Sequence, residues 1–308
     1  MKKSLVFWVE EYFYNPNALQ KIVSTLLLPL SWLYCSLMYL RFKTKIAQDF
    51  GIDIISVGNL NVGGSGKTPL VSALALKYKD VAIVLRGYGR QSSGLYVVKN
   101  SKEILCDVAT SGDEAMIYAH KVTHAIVIVS EDRKEGILKA KEMGAKIVFL
   151  DDAYSKHDIK KLDFLIEVDS KYNSNCLPSG PFRERLWSQK EAVVIKDGVD
   201  FKRVVELKDK SAKMSLVTAI ARPKRLDEYL PDVLSKNYFQ DHYSFKKEEL
   251  QGIIKKDGSD SLLVTYKDFV KVESFNLPLS LLDLHVEVDK SIFKVIDNYR
   301  GLNSAKKD

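Results

Sequence analysis

A glycine-rich segment that ends in Lys67 and Thr68 carries the most specific chemical signal in this chain. Apolar residues 52–57 precede it and a helix-like stretch follows, so the sequence predicts a strand, a tight turn and a helix. Backbone N–H groups of such a turn converge on one point, where the helix N-terminus adds partial positive charge. This is typical of a P-loop, in which the lysine contacts the β- and γ-phosphates of ATP and the threonine hydroxyl binds Mg²⁺. The predicted nucleotide-binding residues are Asn61, Val62, Gly63, Gly64, Ser65, Gly66, Lys67 and Thr68.

The segment departs from the usual P-loop pattern at one position, because Asn61 stands where the first glycine is expected. Asparagine tolerates left-handed backbone conformations better than most residues, so we interpret the segment as a variant P-loop. The alternative is a glycine-rich hairpin with a surface lysine. The flanking strand and helix patterns favour the P-loop.

Asp151 and Asp152 directly follow the apolar residues 146–150, which predict a buried strand. Strand ends of an open parallel sheet meet at the same crevice as the P-loop, and aspartates there hold Mg²⁺ in P-loop enzymes. The alternative is a polar strand end that serves as a turn or a helix cap. Two adjacent carboxylates after a buried strand favour the Mg²⁺ site.

Asp113 opens a predicted helix, so it is either an N-cap or a general base that takes a proton from an acceptor hydroxyl. From spacing alone, the cap is favoured. His242 follows an aspartate, which can fix the tautomer of its ring, but this signal is weak by itself.

Three arginines in glycine-containing segments are candidates for contacts with an anionic ligand. Arg86 and Arg90 follow the second predicted strand, where ligand contacts and solvated loop side chains are evenly balanced alternatives. Arg183 follows the Pro- and Gly-containing residues 177–182, and a loop arginine can stabilise charge on a transferring phosphoryl group.

The formal net charge of +7 over 308 residues favours an anionic partner, but it does not distinguish nucleotide, nucleic acid and acidic membrane. The 3 cysteines are widely spaced and form no C-x-x-C pair, which argues against a disulfide framework or a zinc site. No basic stripe with interleaved aromatics occurs, so we expect no nucleic-acid partner.

Residues 22–40 are strongly apolar and are followed by Arg41, Lys43 and Lys45. Pro29 interrupts the segment, and Trp32 lies within it. The pattern suits an interfacial membrane anchor at least as well as a bilayer span, and basic residues after it suit the anionic cytoplasmic leaflet. The alternative is a helix buried in the core or packed on a partner.

The fold class expected is α/β: a P-loop NTPase-like parallel sheet with helices on both faces, a smaller C-terminal α/β subdomain and an apolar N-terminal helix. Short apolar strands alternate with helical stretches from residue 52 to about residue 168, which predicts the parallel sheet. We divide the chain into a membrane-associated helical arm at 1–50, a nucleotide-binding core at 51–190 and a C-terminal subdomain at 191–308 that completes the active-site cleft.

Taken together, these motifs resemble the tetraacyldisaccharide 4'-kinase family of Gram-negative bacteria, the lipid A kinases. Their order and spacing make coincidence improbable. The matching segments are residues 28–34, 57–69, 86–90, 112–114, 151–152, 178–184, 219–225, 239–242 and 264–268.

The resemblance implies transfer of the ATP γ-phosphate to the 4'-hydroxyl of a tetraacylated glucosamine disaccharide 1-phosphate in lipid A biosynthesis. It also implies a membrane-associated N-terminal helix and an active site on the cytoplasmic face of the inner membrane. By the same resemblance, Asp113 is the catalytic base and His242 supports it. Asp151 and Asp152 are the essential carboxylate pair, and Arg183 and Glu184 are functional residues near the phosphates.

The chain departs from the family pattern in two places. The paired aspartates are followed by Ala153, Tyr154, Ser155 and Lys156, and His157 lies one place later than the family histidine. Tyr266 replaces the usual glutamate of the last motif. Neither departure affects the P-loop or the proposed base.

A membrane-associated regulatory ATPase is the alternative function. Such ATPases carry a signature lysine before the P-loop glycines, where this chain has Val62, and they commonly bind membranes through a C-terminal helix. Both differences argue against that class. A nucleic-acid-dependent ATPase is a third and weaker alternative.

Overall fold

A computed structural model of the chain describes residues 2–63, 66–168, 172–220 and 223–304. Gly64 and Ser65 of the predicted P-loop lie outside the described residues, as do Ala221 and Arg222 of one family-like motif.

The N-terminal arm is made of three helices rather than the one apolar helix expected: α1 (Lys2–Tyr14), α2 (Ala18–Leu26) and α3 (Leu28–Thr44). Residues 22–40 are therefore divided between α2 and α3, which meet at an angle of 56°. Pro29 lies in the first turn of α3, where the missing N–H costs nothing. Within the described residues, this bent pair is long and apolar enough to cross a membrane, whereas none of the helices taken singly is.

The larger sheet follows the arm and contains seven strands within the described residues, in the order β3-β4-β2-β5-β1-β6-β7. All neighbouring strands are parallel except the edge strand β3, which is antiparallel to β4. The central strands are buried on both faces, which explains why they are continuous apolar runs in the sequence. The strands are β1 (Asp53–Gly58), β2 (Val81–Leu85), β3 (Tyr96–Lys99), β4 (Ile126–Val129), β5 (Ile147–Asp151), β6 (Leu162–Ile166) and β7 (Val193–Ile195).

The helices of this part are α4 (Lys67–Ala75), α5 (Val108–Ser111), α6 (Asp113–Lys121) and α7 (Arg133–Glu142). The predicted P-loop helix and the predicted helix that begins with Asp113 are thus present. Helix α4 begins at Lys67, directly after Gly66, which has a φ of 77°. A left-handed residue at this point lets the chain turn sharply from the loop into the helix.

The smaller sheet contains five strands within the described residues, in the order β10-β9-β11-β12-β8, with β8 antiparallel to β12 and the others parallel. A short 3₁₀ turn, Pro223–Leu226, lies between β9 and β10. The strands are β8 (Phe201–Lys208), β9 (Met214–Thr218), β10 (Ser235–Tyr238), β11 (Ser261–Thr265) and β12 (Leu279–Val288), and the helices are α8 (Lys247–Asp257), α9 (Tyr266–Val272) and α10 (Lys290–Ser304).

Helices α4 and α6 lie between the two sheets, because α4 contacts β1, β5 and β12 while α6 contacts β4 and α9. One hydrophobic cluster therefore combines residues of the first sheet with Phe201, Val270, Val286 and Ile296 of the second part. Strand β7 (Val193–Ile195) belongs to the larger sheet, although it lies beyond residue 190, the predicted end of the nucleotide-binding core. The predicted division into domains at 50 and 190 stays a prediction.

Candidate active site

Lys67 is the first residue of α4, and its ammonium group faces the carboxyl end of the first sheet. Its Nζ donates a hydrogen bond to Asn59 Oδ1 at 3.0 Å and lies 3.6 Å from Asp152 Oδ1. Asn59, which follows β1, is buried and was not identified from the sequence. The lysine is therefore held beside the strand ends where the sequence predicts the phosphates of a nucleotide.

The segment that carries Arg183 and Glu184 runs beside the entrance of the P-loop. Backbone N–H groups of Arg183 and Glu184 donate to Leu60 O at 2.9 and 3.2 Å, and Val62 N donates to Pro181 O at 2.9 Å. The guanidinium of Arg183 donates to Asn59 Oδ1 at 3.0 Å and also pairs with Asp152. The structure thus brings Arg183 together with Lys67.

Asp152 has left-handed backbone geometry, with a φ of 53°, and directly follows the last residue of β5. Burial opposes ionisation of its carboxyl, but the charges of Lys67 and Arg183 outweigh that effect and hold its pKa below the usual range. Asp152 is therefore a carboxylate that balances two cations at the phosphate end of the site.

Asp151 lies in a different environment, since Tyr118 of α6 donates a hydrogen bond to its Oδ2 at 2.8 Å. Burial and the charge of Glu114 raise the pKa of Asp151 to about 7. The Tyr118 hydroxyl also hydrogen-bonds the side chain of Thr68. One buried tyrosine therefore connects the predicted metal-binding threonine and aspartate.

The residues present fit a magnesium ion. Among the residues that the structure describes, none donates a hydrogen bond to the buried Oδ1 of Asp151. Mg²⁺ prefers oxygen ligands and is usually held by one or two carboxylates together with water and substrate phosphates. The described residues contain no cluster of three or more His, Cys, Asp or Glu side chains that would form a protein-only metal cage.

Asp113 and His242 meet across the boundary between the two sheets. His242 Nδ1 lies 3.0 Å from Asp113 Oδ2, and Lys271 Nζ lies 3.1 Å from the same oxygen. Burial opposes ionisation of Asp113, but the hydrogen bond from His242 and the charge of Lys271 outweigh it, so the pKa of Asp113 lies below its usual value.

The N-cap that spacing favoured for Asp113 is wrong. The N-cap of α6 is Gly112, and Asp113 is the first helical residue, with its side chain directed to His242 and Lys271. The segment Arg86–Arg90 contacts this pair from the other side: a Cβ on Gly89 would lie 3.2 Å from the His242 ring, and Tyr88 packs against that ring.

Comparisons with known proteins agree with these features. The model of the family described as Tetraacyldisaccharide-1-P 4'-kinase, LpxK, matches residues 23–299. The chain belongs to this family.

Curated relatives match over almost the whole chain. The tetraacyldisaccharide 4'-kinase of Aliarcobacter butzleri is 45% identical, with 99% of this chain and 100% of the relative covered. That of Campylobacter jejuni is 48% identical, with 97% of each chain covered. Among solved structures, LpxK from Aquifex aeolicus in complex with ATP is 25% identical with a TM-score of 0.70, covering 90% of this chain and 99% of that one.

Membership of the LpxK family confirms the predicted family, fold class and enzyme class, a kinase of lipid A biosynthesis. It argues against the regulatory ATPase. The roles of individual residues in this family member stay predictions.

Three residues that the sequence predicts as contacts for the substrate of this LpxK family member, Arg86, Arg90 and Glu184, lie in different surroundings. Arg86 is exposed, whereas the side chain of Arg90 is buried against Glu131 and the Gly94 carbonyl. Glu184 is buried, with a carboxylate oxygen 3.7 Å from His157 Nε2. His157 therefore lies beside Glu184, although it stands one place later in the sequence than the family histidine.

The N-terminal helices support the segment that carries Arg183. Ser24 Oγ of α2 donates to Ser179 O at 2.8 Å, and Ser31 Oγ of α3 accepts from Ser179 N at 2.8 Å. Tyr34 donates from its hydroxyl to Arg183 O at 3.0 Å. These hydrogen bonds tie the N-terminal arm to the active-site segment.

Proposed function

We propose that this chain transfers the γ-phosphate of ATP to the 4'-hydroxyl of an acylated glucosamine disaccharide 1-phosphate. The observation that carries the proposal is the arrangement along α6. Asp113 begins this helix, and Tyr118 of the same helix contacts both Thr68 of the P-loop and Asp151. At 1.5 Å per residue, the helix separates the proposed base from the Tyr118 contact by roughly 8 Å along its axis.

Asp113 takes the proton of the 4'-hydroxyl while the oxygen of that hydroxyl forms a bond to the γ-phosphorus of ATP. The bond from that phosphorus to the bridging oxygen of the β-phosphate breaks, and ADP leaves. The hydrogen bond from His242 orients the carboxylate of Asp113. Lys67 and Arg183, which both contact Asn59 and Asp152, stabilise the charge that spreads over the transferring group.

Thr68, Asp151 and Asp152 are the residues that would hold Mg²⁺ with the nucleotide phosphates. When bound, the ion neutralises charge on the β- and γ-phosphates. Of the two predicted substrate arginines, the exposed Arg86 is the better placed to contact an anionic group, because Arg90 already pairs with Glu131.

We also place the enzyme on the cytoplasmic face of the inner membrane through α2 and α3. Many large apolar side chains on these helices face solvent, including Leu19 and Leu26 at 74% exposure. This supports an interfacial surface rather than the alternative of a buried core helix. The exposed apolar residues of the pair are Leu19, Ile22, Val23, Leu26, Leu30, Trp32, Leu33, Leu37, Tyr39 and Leu40.

The test of the activity is transfer of labelled γ-phosphate from ATP to a tetraacyldisaccharide 1-phosphate in detergent with Mg²⁺. We expect a labelled lipid that carries the new phosphate at the 4'-position. Parallel reactions contain empty vesicles or DNA in place of the lipid. ATP turnover stimulated by vesicles or DNA, with no label in the disaccharide, would support one of the ATPase alternatives instead.

A further inference from the structure

Lys271 is a buried cation in the active-site region to which the sequence motifs assign no role. It lies on α9, in the part of the chain that forms the smaller sheet, and its side chain is only 7% exposed. Its Nζ is 3.1 Å from Asp113 Oδ2, the oxygen that also receives the hydrogen bond from His242. Lys271 and His242, which both belong to the part of the chain that forms the smaller sheet, therefore contact the same oxygen of Asp113.

The surroundings of Lys271 make Asp113 its nearer carboxylate. Asp268 Oδ1 is 3.7 Å away, and that carboxylate already accepts hydrogen bonds from Thr218, Thr265 and the backbone N of Ala219. The ring of Phe245 lies 5.7 Å from the Lys271 ammonium. A lysine held this way is fixed in position, because its stem is buried and its charge is opposed on two sides.

We propose that Lys271 is a positioning residue for the base. Its ammonium keeps Asp113 ionised and holds Oδ2 of that carboxylate in place. Oδ1 is then the oxygen that accepts the proton of the acceptor hydroxyl. The proposal rests on the proposed role of Asp113 in phosphoryl transfer. Lys271 acts through Asp113 and has no contact with the nucleotide in this assignment.

Because Asp113 is buried, its ionised form depends on nearby positive charge. A carboxyl as buried as Asp113 would favour its neutral form without nearby positive charge, and a neutral carboxylic acid cannot accept a proton. His242 and Lys271 together reverse this preference. Charged and titratable groups lie on each element packed around Asp113. They are Glu114, Tyr118, His120 and Lys121 on α6, Tyr266, Lys267, Asp268 and Lys271 on α9, Asp241 and His242 after β10, and Arg86, Tyr88 and Arg90 after β2.

The variant Lys271→Met removes the charge and keeps an apolar stem of similar length. Because an opposite charge within about 4–6 Å lowers a carboxyl pKa by roughly 1–3 units, its loss should raise the pKa of Asp113 by about 1 unit or more. We expect the acidic limb of the kcat/KM profile to move upward by that amount, with activity largely regained at high pH. Lys271→Arg should leave the limb near its wild-type position.

Lys121→Met is the matched control. Lys121 is a second buried lysine at the boundary between the sheets, where it pairs with Asp283, donates to Leu284 O at 2.7 Å and lies over the Tyr266 ring. Its loss should lower the melting temperature without moving the acidic limb. If the acidic limb of the kcat/KM profile stays in place in Lys271→Met and activity falls equally at every pH, the proposal is overturned and Lys271 has a structural role only.

A direct titration separates this proposal from the proposed base. The carboxyl carbon of Asp113 is followed by ¹³C NMR in aspartate-labelled wild type, Lys271→Met and Lys271→Gln, with Asp113→Asn identifying the signal. A pKa that rises in both variants supports the proposal even if they are inactive, and an unchanged pKa refutes it. If Asp113→Asn keeps wild-type kcat, the proposed base is wrong, whatever the titration shows for Lys271.

Discussion

Asp113 and His242 are 129 positions apart, yet Oδ2 of the aspartate and Nδ1 of the histidine lie 3.0 Å from each other. The aspartate belongs to a helix of the larger sheet, and the histidine follows β10 of the smaller one. The same helix is tied to the smaller sheet at its other end, where Lys121 pairs with Asp283. The proposed base is therefore complete only when the two parts are docked.

Loss of Asp113 and loss of His242 should not be additive. Asp113→Ala removes the proposed base and should reduce kcat by roughly 10²–10⁴-fold. It should also lower the melting temperature, because the buried ammonium of Lys271 loses its nearer carboxylate. His242→Ala should reduce kcat by acting on the same step, so the double variant should be scarcely slower than Asp113→Ala. The measurements are kcat and melting temperature for both single variants and the double variant.

Fully multiplicative losses in kcat would separate His242 from Asp113. A lower melting temperature with preserved kcat in Asp113→Ala would contradict the catalytic role, since only a structural contribution would then remain.

Lys67→Ala should lower kcat by at least ~10²-fold, because the ammonium stabilises charge on the transferring phosphoryl group. Lys77→Ala is the control, since Lys77 is an exposed lysine just past the end of the same helix. It should keep wild-type kcat. A Lys67→Ala enzyme with near-normal turnover of ATP and lipid would remove the P-loop assignment.

The sequence predicts those parts of the site that depend on local order. Asp151 and Asp152 follow a buried strand, and parallel strand ends meet at one edge, so their proximity to Lys67 could be expected. The role of Asp113 could not be obtained from spacing. Its partners, His242 and Lys271, come from separate elements and reach it only through docking of the two sheets.

Elements with weak patterns were missed for a related reason. Strand β3 is short and half-exposed at an edge, and α9 has only seven residues. Such elements are stabilised by packing on neighbours rather than by their own propensity. Pro29 did predict an interruption of the N-terminal apolar segment, but the sequence alone did not give the angle between α2 and α3.

Replacement of Asp151 and replacement of Asp152 by asparagine should change the melting temperature in opposite directions. The pKa of Asp151 is raised to about 7 in the folded chain, so between about pH 4 and pH 7 the folded state binds more protons than the unfolded state. Its contribution to stability is therefore present at low pH and is lost as the pH rises through 7. Asp151→Asn, which cannot ionise, should have a higher melting temperature than wild type at pH 8, without nucleotide or divalent ions.

Asp152→Asn is the matched comparison. The pKa of Asp152 is lowered by Lys67 and Arg183, so its stabilising effect is present above the pH range where an ordinary aspartate titrates. Asparagine tolerates the left-handed backbone at this position, which leaves the lost charge as the main change. We expect a lower melting temperature at pH 8. Melting curves of both variants from pH 5.5 to 8 measure the two effects, and shifts of the same sign would contradict the assigned environments.

Membrane attachment can be tested without disturbing the active site. Deletion of residues 1–45 would also remove Ser24, Ser31 and Tyr34, which hold the segment that carries Arg183. Substitution of exposed side chains avoids this problem. The test variant changes five apolar residues of α2 and α3 to glutamine, a good helix former: Leu19, Ile22, Leu26, Leu33 and Leu37.

Burial of each such side chain contributes about 1.5–3 kcal/mol at full insertion, so the five changes should reduce binding to anionic vesicles by at least about 100-fold in a flotation assay. The melting temperature should hardly change, because these side chains are exposed. A control variant carries the same change at five exposed apolar residues elsewhere, Leu105, Leu138, Val199, Leu234 and Leu302, and should float as wild type does. If the α2–α3 variant floats equally well, these helices do not attach the enzyme to the membrane, and their exposed apolar surface must have another occupant.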